Sequence, residues 1–368
     1  MYLAAFRTSV AEGAAKDIIE IFAPEHQGGF PAFDQDVARL AGVSIGTVSR
    51  YLNDPDMVRP ETRAIVRDAV ATLHYSPNAL ARNLRRGRTN LVMVIVWAVG
   101  DPFYGDLIHG IAEAAERRGF SVYIKESNSV HMTPADLSDI LLSRQADGVI
   151  LLGGPSPFEA AGDYSTAAQY PPVVVAGEVA VPSMRGLPAV RVDNFKAATD
   201  IVRYVIGLGH KRIAFIGGEP DSLLLEEREA AYRQAMLDAG LTVPSEYVTY
   251  GDLVIEGARR VTRDLLNLRA PPTAIVCGND EMALGTMAEA RTKGLEVPRD
   301  LSVVGFDDIR YAEIANPRLT TVGHPAHLIG EQSFNLLWRL LQEPATDARL
   351  SLVPHRLVIR DSAAPPRS

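Results

Sequence analysis

The stretch LVMVIVWAV, residues 91–99, is apolar at every position. A strand with one face in water alternates apolar and polar residues. A strand apolar on both faces is covered on both, as in the interior of a parallel sheet. Parallel strands need crossover connections, usually helical. The sequence supplies them: YGDLIHGIAEAAERRG, then the strand FSVYIKES, ADLSDILLSRQA, the strand GVILLGG and the short strand PPVVVAGE. A helix then begins near Asp193 (NFKAATDIVRYVIGLGH), and the cycle restarts as RIAFIGG, REAAYRQAMLDAG, YVTYGD, GARRVTRDLLNL, AIVCGND, MALGTMAEARTKG and LSVVGFDD. Strands alternating with helices of about 10–15 residues are β-α-β units. Two successive runs predict an α/β fold of two doubly wound parallel-sheet subdomains. The segments LTTVGHP, GEQSFNLLWRLLQE and SLVPHRLVIR cross back to complete the assembly.

Upstream the pattern is helical. In DVARLAG, Val37, Leu40 and Ala41 share a face, and Gly42 stops the helix. Ser44 suits the N-cap of the next helix, where Val48 and Leu52 share a face. NDPD breaks that helix, and Pro60 is placed as a first helical residue. Ile65, Val66, Ala69, Val70 and Leu73 form the next apolar stripe. A fourth helix, YSPNALARNLRRGR, has few apolar residues and is marginal alone.

Charge divides the same way. Residues 34–90 carry nine arginines against six acidic residues, a net of +3, so a chain of net charge −8 leaves −11 for the remainder. A small basic segment ending in ARNLRRGR suits phosphates; the alternative is a solvated charged face. A short helix, a glycine turn and a second helix fit a helix-turn-helix, whose second helix enters the major groove by its N-terminal side. With Val48 and Leu52 inward, Ile45, Gly46, Ser49 and Arg50 face out. Arginine pairs with guanine and isoleucine touches a thymine methyl. Thr47 and Ser49 suit phosphate oxygens. Helical hairpins in proteins that never touch DNA share this pattern.

The whole segment DVARLAGVSIGTVSRYLN…VRPETRAIVRDAVATLHYSPNALARNLRRGRTN closely resembles the DNA-binding headpiece and hinge of the lactose-repressor (LacI/GalR) family of bacterial regulators. The landmarks DPFYGDLIHGI, ADGVILL, VDNFKAA, GHKRIAFIGG, REAAYRQAM, GNDEMALG, VPRDLSVVGFDDI and PRLTTV resemble that family's periplasmic-binding-protein-like effector domain, over about residues 34–360. Residues 1–32, with Gly, Ala and a Pro-Glu-His-Gln-Gly-Gly cluster, read as a flexible extension or a mistaken start, a docking helix over AKDIIEIF being the alternative, and such an extension is atypical of the family. The resemblance implies a helix-turn-helix headpiece over 33–75, a hinge helix and linker over 76–90, and an effector-binding and dimerisation domain over 91–368. It implies that Ile45, Gly46 and Arg50 read bases and that Asn53, Tyr75 and Asn78 help hold the DNA backbone. Leu84 would be the minor-groove wedge, with Arg85 beside it near phosphate. In the cleft between subdomains it implies Asp101, Phe103, Asp193, Asn194, Arg228, Asn279 and Asp307 as effector contacts. Carboxylates, amides, an arginine and an aromatic ring suit a sugar-like ligand.

Plainer readings stand beside these. Asp307 and Asp308, or Asn279 and Asp280, would only cap helices. Phe103 would be core, and Arg228 among Glu226, Glu227 and Glu229 would be a solvated charge cluster. The chain departs from the family at Gly177-Glu178, where an Asp-Arg pair is common, and at His324, where Gln is usual. Leu224 and Leu253 fall at ligand-dependent positions, and Phe33 replaces the usual cap.

Other classes lack their signatures. No apolar run nears the roughly 18 residues of a membrane span, and the first residues do not resemble a signal peptide. The lone Cys277, in an apolar strand, reads as buried and inert. His210, His324 and His327 form no recognisable metal pattern, Gly217-Gly218 lacks the Lys-Ser/Thr of a P-loop, and no G-x-S-x-G elbow occurs. The expectation is a cytosolic, non-enzymatic, ligand-responsive repressor without cofactor. As a homodimer it binds a pseudo-palindromic operator and is controlled by a small molecule, in first place a carbohydrate that releases it. Corepression is the other sign. The rivals are a solute-binding protein, which would carry an export signal and no headpiece, and an α/β enzyme.

Overall fold

The computed structural model describes residues 34–75, 88–127, 133–143, 145–153, 170–177, 186–218, 223–343 and 350–367. The extension over 1–32 and the hinge positions Asn78, Leu84 and Arg85 lie outside them, as does the side chain of Asn53. The chain divides into two compact units, residues 1–87 and 88–368.

The first unit holds α1 (Asp34–Ala41), α2 (Ile45–Asn53) and α3 (Pro60–Thr72). Gly42, at φ 63°, ends α1 in the left-handed region that favours glycine. Ser44 then caps α2, its Oγ accepting from the Thr47 amide at 3.2 Å. Pro60 opens α3, where a missing N–H costs nothing. Val37, Ala38, Ala41, Val48, Val66 and Ala69 form the core, and Leu52, Val70, Leu73 and Tyr75 pack on it. The Tyr75 hydroxyl donates to the Asp34 carboxylate, tying the end of this unit to its start. Two expected core residues, Leu40 and Ile65, are exposed instead. Helices this short bury about one residue per turn, and in α1 the inward face runs through Ala38.

In the second unit β1 (Leu91–Val96), β2 (Ser121–Glu126), β3 (Gly148–Leu152), β4 (Val173–Gly177) and β5 (Ala189–Arg191) join β11 (Leu350–Leu352) in a parallel sheet of order β11-β5-β4-β3-β1-β2. β6 (Ile213–Gly217), β7 (Val248–Tyr250), β8 (Ala274–Cys277) and β9 (Ser302–Val304) form a second parallel sheet, β7-β6-β8-β9. β10 (Thr321–Gly323) and β12 (Arg356–Val358) pair antiparallel. The apolar run is explained by its two faces. Val92, Val94 and Val96 pack under α4 (Pro102–Glu116) and α11 (Ala326–Gln342), while Met93 and Ile95 pack under α5 (Pro134–Leu142). The strand stops at Val96, and Trp97 and Val99, expected within it, are exposed.

The second sheet is covered by α6 (Asn194–Gly207) and α7 (Leu223–Asp238) on the face of Ile213 and Phe215. α8 (Ile255–Leu266) and α9 (Asp280–Thr292) cover the face of Ala214 and Ile216. The chain passes between subdomains at 192–193, 324–325 and 353–355, so its last segment finishes both sheets' layers. The short strand β5 escaped sequence reading because three residues carry no periodicity.

Candidate functional site

In the first unit, α2 presents what its sequence spacing dictates. Val48 is fully buried, while Ile45, Gly46 and Arg50 are exposed and Ser49 is half-buried. Thr47 is turned towards its cap, its hydroxyl 2.9 Å from Ser44 Oγ. A Cβ added at Gly46 would meet only Ser44 Oγ, at 3.7 Å. Packing therefore does not demand glycine there. The bare backbone leaves the N-terminal turn of α2 open to close approach. Tyr75, expected to help hold DNA, spends its hydroxyl on Asp34.

In the second unit the polar residues are buried. Arg228 comes from the first turns of α7 and is 1 % exposed. Its Nε and Nη2 donate to Asn194 Oδ1 at 3.2 and 3.1 Å, and Nη1 donates to the Gly278 carbonyl. The guanidinium lies over the Phe306 ring, 3.6 Å from its centre, and Nη2 is 3.7 Å from Asp307 Oδ1. A planar cation over an aromatic face gains from the ring quadrupole, most where water is excluded. The solvated-charge reading of Arg228 is thereby overturned.

His324 completes the cluster. Its ring meets Phe306 and Phe103 edge-on, with centres 4.8 and 5.5 Å apart, and Nε2 is 3.8 Å from Asp307 Oδ1. Among the described residues neither ring nitrogen has a hydrogen-bond partner. Burial, followed by the Arg228 charge, holds the imidazole well below its ordinary pKa, so it is neutral at pH 7. A buried polar group without partners is costly. A bound molecule offering a donor and an acceptor would satisfy it.

Asp307 and Asp308 do not cap a helix. The short α10 (Arg310–Ile314) starts beyond them, with Ile309 at its cap and no side-chain cap. Both have positive φ, 114° and 56°, a conformation that costs free energy and is held here by partners. The Asp307 amide donates to the Val322 carbonyl at 2.7 Å, while Asp308 pairs with Arg356 at 2.9 Å and Arg360 at 2.7 Å.

The remaining expected contacts are helix caps in this structure. Asp101 accepts from the Phe103 amide at 2.9 Å, Asp193 from Lys196 at 2.9 Å and Asn279 from Met282 at 2.9 Å. Asn279 also donates to the Leu253 carbonyl. Burial pushes the Asp101 carboxyl up, and burial with the Asp101 charge does the same to Glu281. So the structure joins Phe103, Arg228 and Asp307 around His324, with Asn194 held by Arg228, and sets Asp101, Asp193 and Asn279 at the starts of α4, α6 and α9. Phe306 was missed in the sequence reading, although it directly precedes Asp307 in the quoted motif. Phe103 is at once core and a wall of this cluster.

Beside the cluster is a cavity of about 360 Å³, walled by Phe103, Asp106 and, on α11, His327 from one subdomain, Asp307 and Arg356 from the other, and His324 on the crossing segment. Cys277 is buried, and its thiol is pushed up to about 12. His210 bonds to Thr273, Ser302 and the Ala364 carbonyl, a structural role. No described helix is long and apolar enough to cross a membrane.

Residues 35–78 match the family model for bacterial regulatory proteins of the lacI family, and residues 202–363 match that for a periplasmic binding protein-like domain. The chain is 37% identical over 328 residues to the HTH-type transcriptional repressor CytR of Escherichia coli (strain K12), covering 89% of this chain and 95% of the relative. The lac repressor dimer bound to operator and the anti-inducer ONPF superposes with a TM-score of 0.80 at 27% identity, over 91% of this chain and all of that one. The transcriptional regulator CelR–cellobiose complex gives 0.66 at 30% identity, over 90% of this chain and 100% of that chain. The chain belongs to the LacI family: it is a DNA-binding transcription regulator with an effector-binding domain, and not an enzyme.

Proposed function

We propose that this regulator is a cytoplasmic repressor that binds a pseudo-palindromic operator as a homodimer and releases it on taking up a carbohydrate-like effector. Ile45, Gly46 and Arg50 read bases, Thr47 and Ser49 meet phosphates, and Leu84 with Arg85 engages the minor groove at the operator centre. The effector sits between the subdomains against Phe103, Asn194, Arg228, Asp307 and His324, with Asp101, Asp193 and Asn279 at helix starts around it.

The carrying observation is the buried Arg228–Phe306–His324 cluster. It holds a fully desolvated guanidinium and an unsatisfied imidazole beside an aromatic wall, next to a cavity of about 360 Å³. Sugars present hydroxyls that donate and accept at once, and an apolar face that rests on aromatic rings. The cellobiose held by a relative of the same fold supports the class. Control follows from linkage. An effector that favours the cleft geometry incompatible with paired hinges must lower operator affinity, and operator must lower effector affinity by the same factor.

Thermal-shift screening with mono- and disaccharides, nucleosides and amino acids tests the ligand class. A carbohydrate that raises the melting temperature of the wild type but not of Arg228→Met supports the proposal. A ligand whose affinity survives both Arg228→Met and Asp307→Asn places the effector elsewhere.

A further inference from the structure

The close crossing of α4 and α11 assembles a second group of potential ligands. Gly110 and Gly330 make the crossing. A Cβ at Gly110 would stand 2.1 Å from the His327 carbonyl oxygen, and one at Gly330 would stand 2.0 Å from that of Leu107. Neither position admits a side chain, so the two backbones touch. Each helix carries a histidine and a glutamate one turn apart beside its glycine: His109 and Glu113 on α4, His327 and Glu331 on α11. Residues four apart lie on one helix face. The contact at the glycines turns the two pairs towards each other.

The result is a compact triad. His109 Nε2 is 3.0 Å from Glu113 Oε1, and His327 Nε2 is 3.2 Å from Glu113 Oε2. The two imidazole centres are 5.5 Å apart, and the ligand atoms of all three residues lie within 4.8 Å of one another. A tetrahedral Zn2+ with bonds near 2.0–2.1 Å spaces its ligands about 3.3 Å apart. The two histidine–glutamate separations, one to each carboxylate oxygen of Glu113, fall close to that spacing. Among the described residues Arg117 is 3.8 Å from Glu113 but is held by Glu331 at 2.6 Å. Glu331 thus keeps the guanidinium engaged beside the triad rather than on it.

We infer that His109, Glu113 and His327 form a binding site for a divalent first-row transition metal, with Zn2+ the best match. Two imidazoles and one carboxylate are the donor set of open three-ligand sites, which leave a further position for water or a ligand group. The triad is at the surface, so an ion reaches it without unfolding. His327 also lines the cavity between the subdomains, so the metal sits at that cavity's rim.

The test uses the full, untagged chain, freed of metal by dialysis against chelator. Calorimetric titration with Zn2+ should give one equivalent per chain. Co2+ should give the visible absorption of a low-coordinate ion. His109→Ala and His327→Ala should each weaken binding by about tenfold or more, since even outer-shell losses reach that scale. Glu113→Gln should do the same while preserving shape, and His74→Ala, in the other unit, should change nothing. Both triad histidines are exposed or half-exposed on helices, and circular dichroism confirms that the variants fold. Absence of stoichiometric binding overturns the inference, as does wild-type affinity in both His109→Ala and His327→Ala.

Discussion

The two regions proposed for recognition use opposite physics. In the headpiece the proposed recognition groups are on the outside: Ile45, Gly46 and Arg50 are exposed on a helix anchored by the buried Val48. In the cleft they are inside: Arg228 and Asn194 are 1 % exposed and His324 and Asp307 nearly as buried, each fixed by neighbours from distant parts of the chain. A surface reader suits a partner that is large, charged and wet. Its contacts can be lost singly without harm to the fold. A buried cluster suits a small ligand that replaces water entirely, and its members also hold the subdomains' fold. The charge difference agrees, with +3 over residues 34–90 against −11 for the remainder.

This contrast predicts where stability and function separate. The largest effect belongs to Arg228→Met. It removes the donor to the Asn194 and Gly278 oxygens and the cation 3.7 Å from Asp307, and breaking such a buried pair costs about 3–5 kcal/mol. Urea unfolding should show that loss in the second unit. Operator binding should persist below the transition but no longer respond to effector.

Arg50→Ala should do the reverse. It should cost about 1–3 kcal/mol of specific operator affinity and leave the unfolding of the second unit within about 0.5 kcal/mol of wild type. If both variants lost stability and operator binding together, the division would be wrong.

A pH comparison is the next in size. The pKa of His324 is depressed in the folded state, so the unfolded chain takes up a proton that the native one does not. Stability therefore falls as pH drops below the unfolded value near 6.5. At pH 5 the wild type should have lost stability relative to His324→Gln, whose side chain does not titrate, by at most about 2 kcal/mol, the limit for an imidazole that stays neutral in the fold. Buried Asp280, raised to about 7, works in the opposite direction but is common to both proteins and cancels. Parallel pH profiles for the two would show that His324 is not held neutral.

The smallest effect is at Gly46. Its backbone is free of positive φ and a methyl meets only ordinary contact, so Gly46→Ala should stabilise the headpiece, by up to about 1 kcal/mol. The same methyl intrudes on the face of α2 proposed to meet the bases, so operator affinity should fall. A gain in both would remove the role given to the bare backbone.

What was legible in sequence follows the range of the interactions. Ser44 as a cap, Gly42 as a stop, Pro60 as a start and Val48 as an anchor are set by residues within one turn, and each stands as read. So does the β-α-β alternation, because β1 writes both of its faces into one run. Leu40 and Ile65 misled because apolar spacing tells which residues share a helix face, not which face is covered. The family resemblance brought Asn194, Arg228 and Asp307 forward as a set. The residues alone did not show that Arg228 is buried against Phe306, since that contact joins α7 to the loop after β9. The Asp308 pairs with Arg356 and Arg360 span 48 and 52 residues, and His327 is 214 residues from Glu113. No local pattern records such meetings.

The division between an exposed reader and a buried controller is tested most directly by selecting, from a random duplex pool, the DNA that the wild-type chain retains, and titrating that DNA with Arg50→Ala and Arg228→Met. A two-fold-symmetric site is expected, bound by wild type and Arg228→Met and bound at least about tenfold more weakly by Arg50→Ala. Recovery of DNA with no common symmetric site, or a site that Arg50→Ala binds as tightly as wild type, would contradict it.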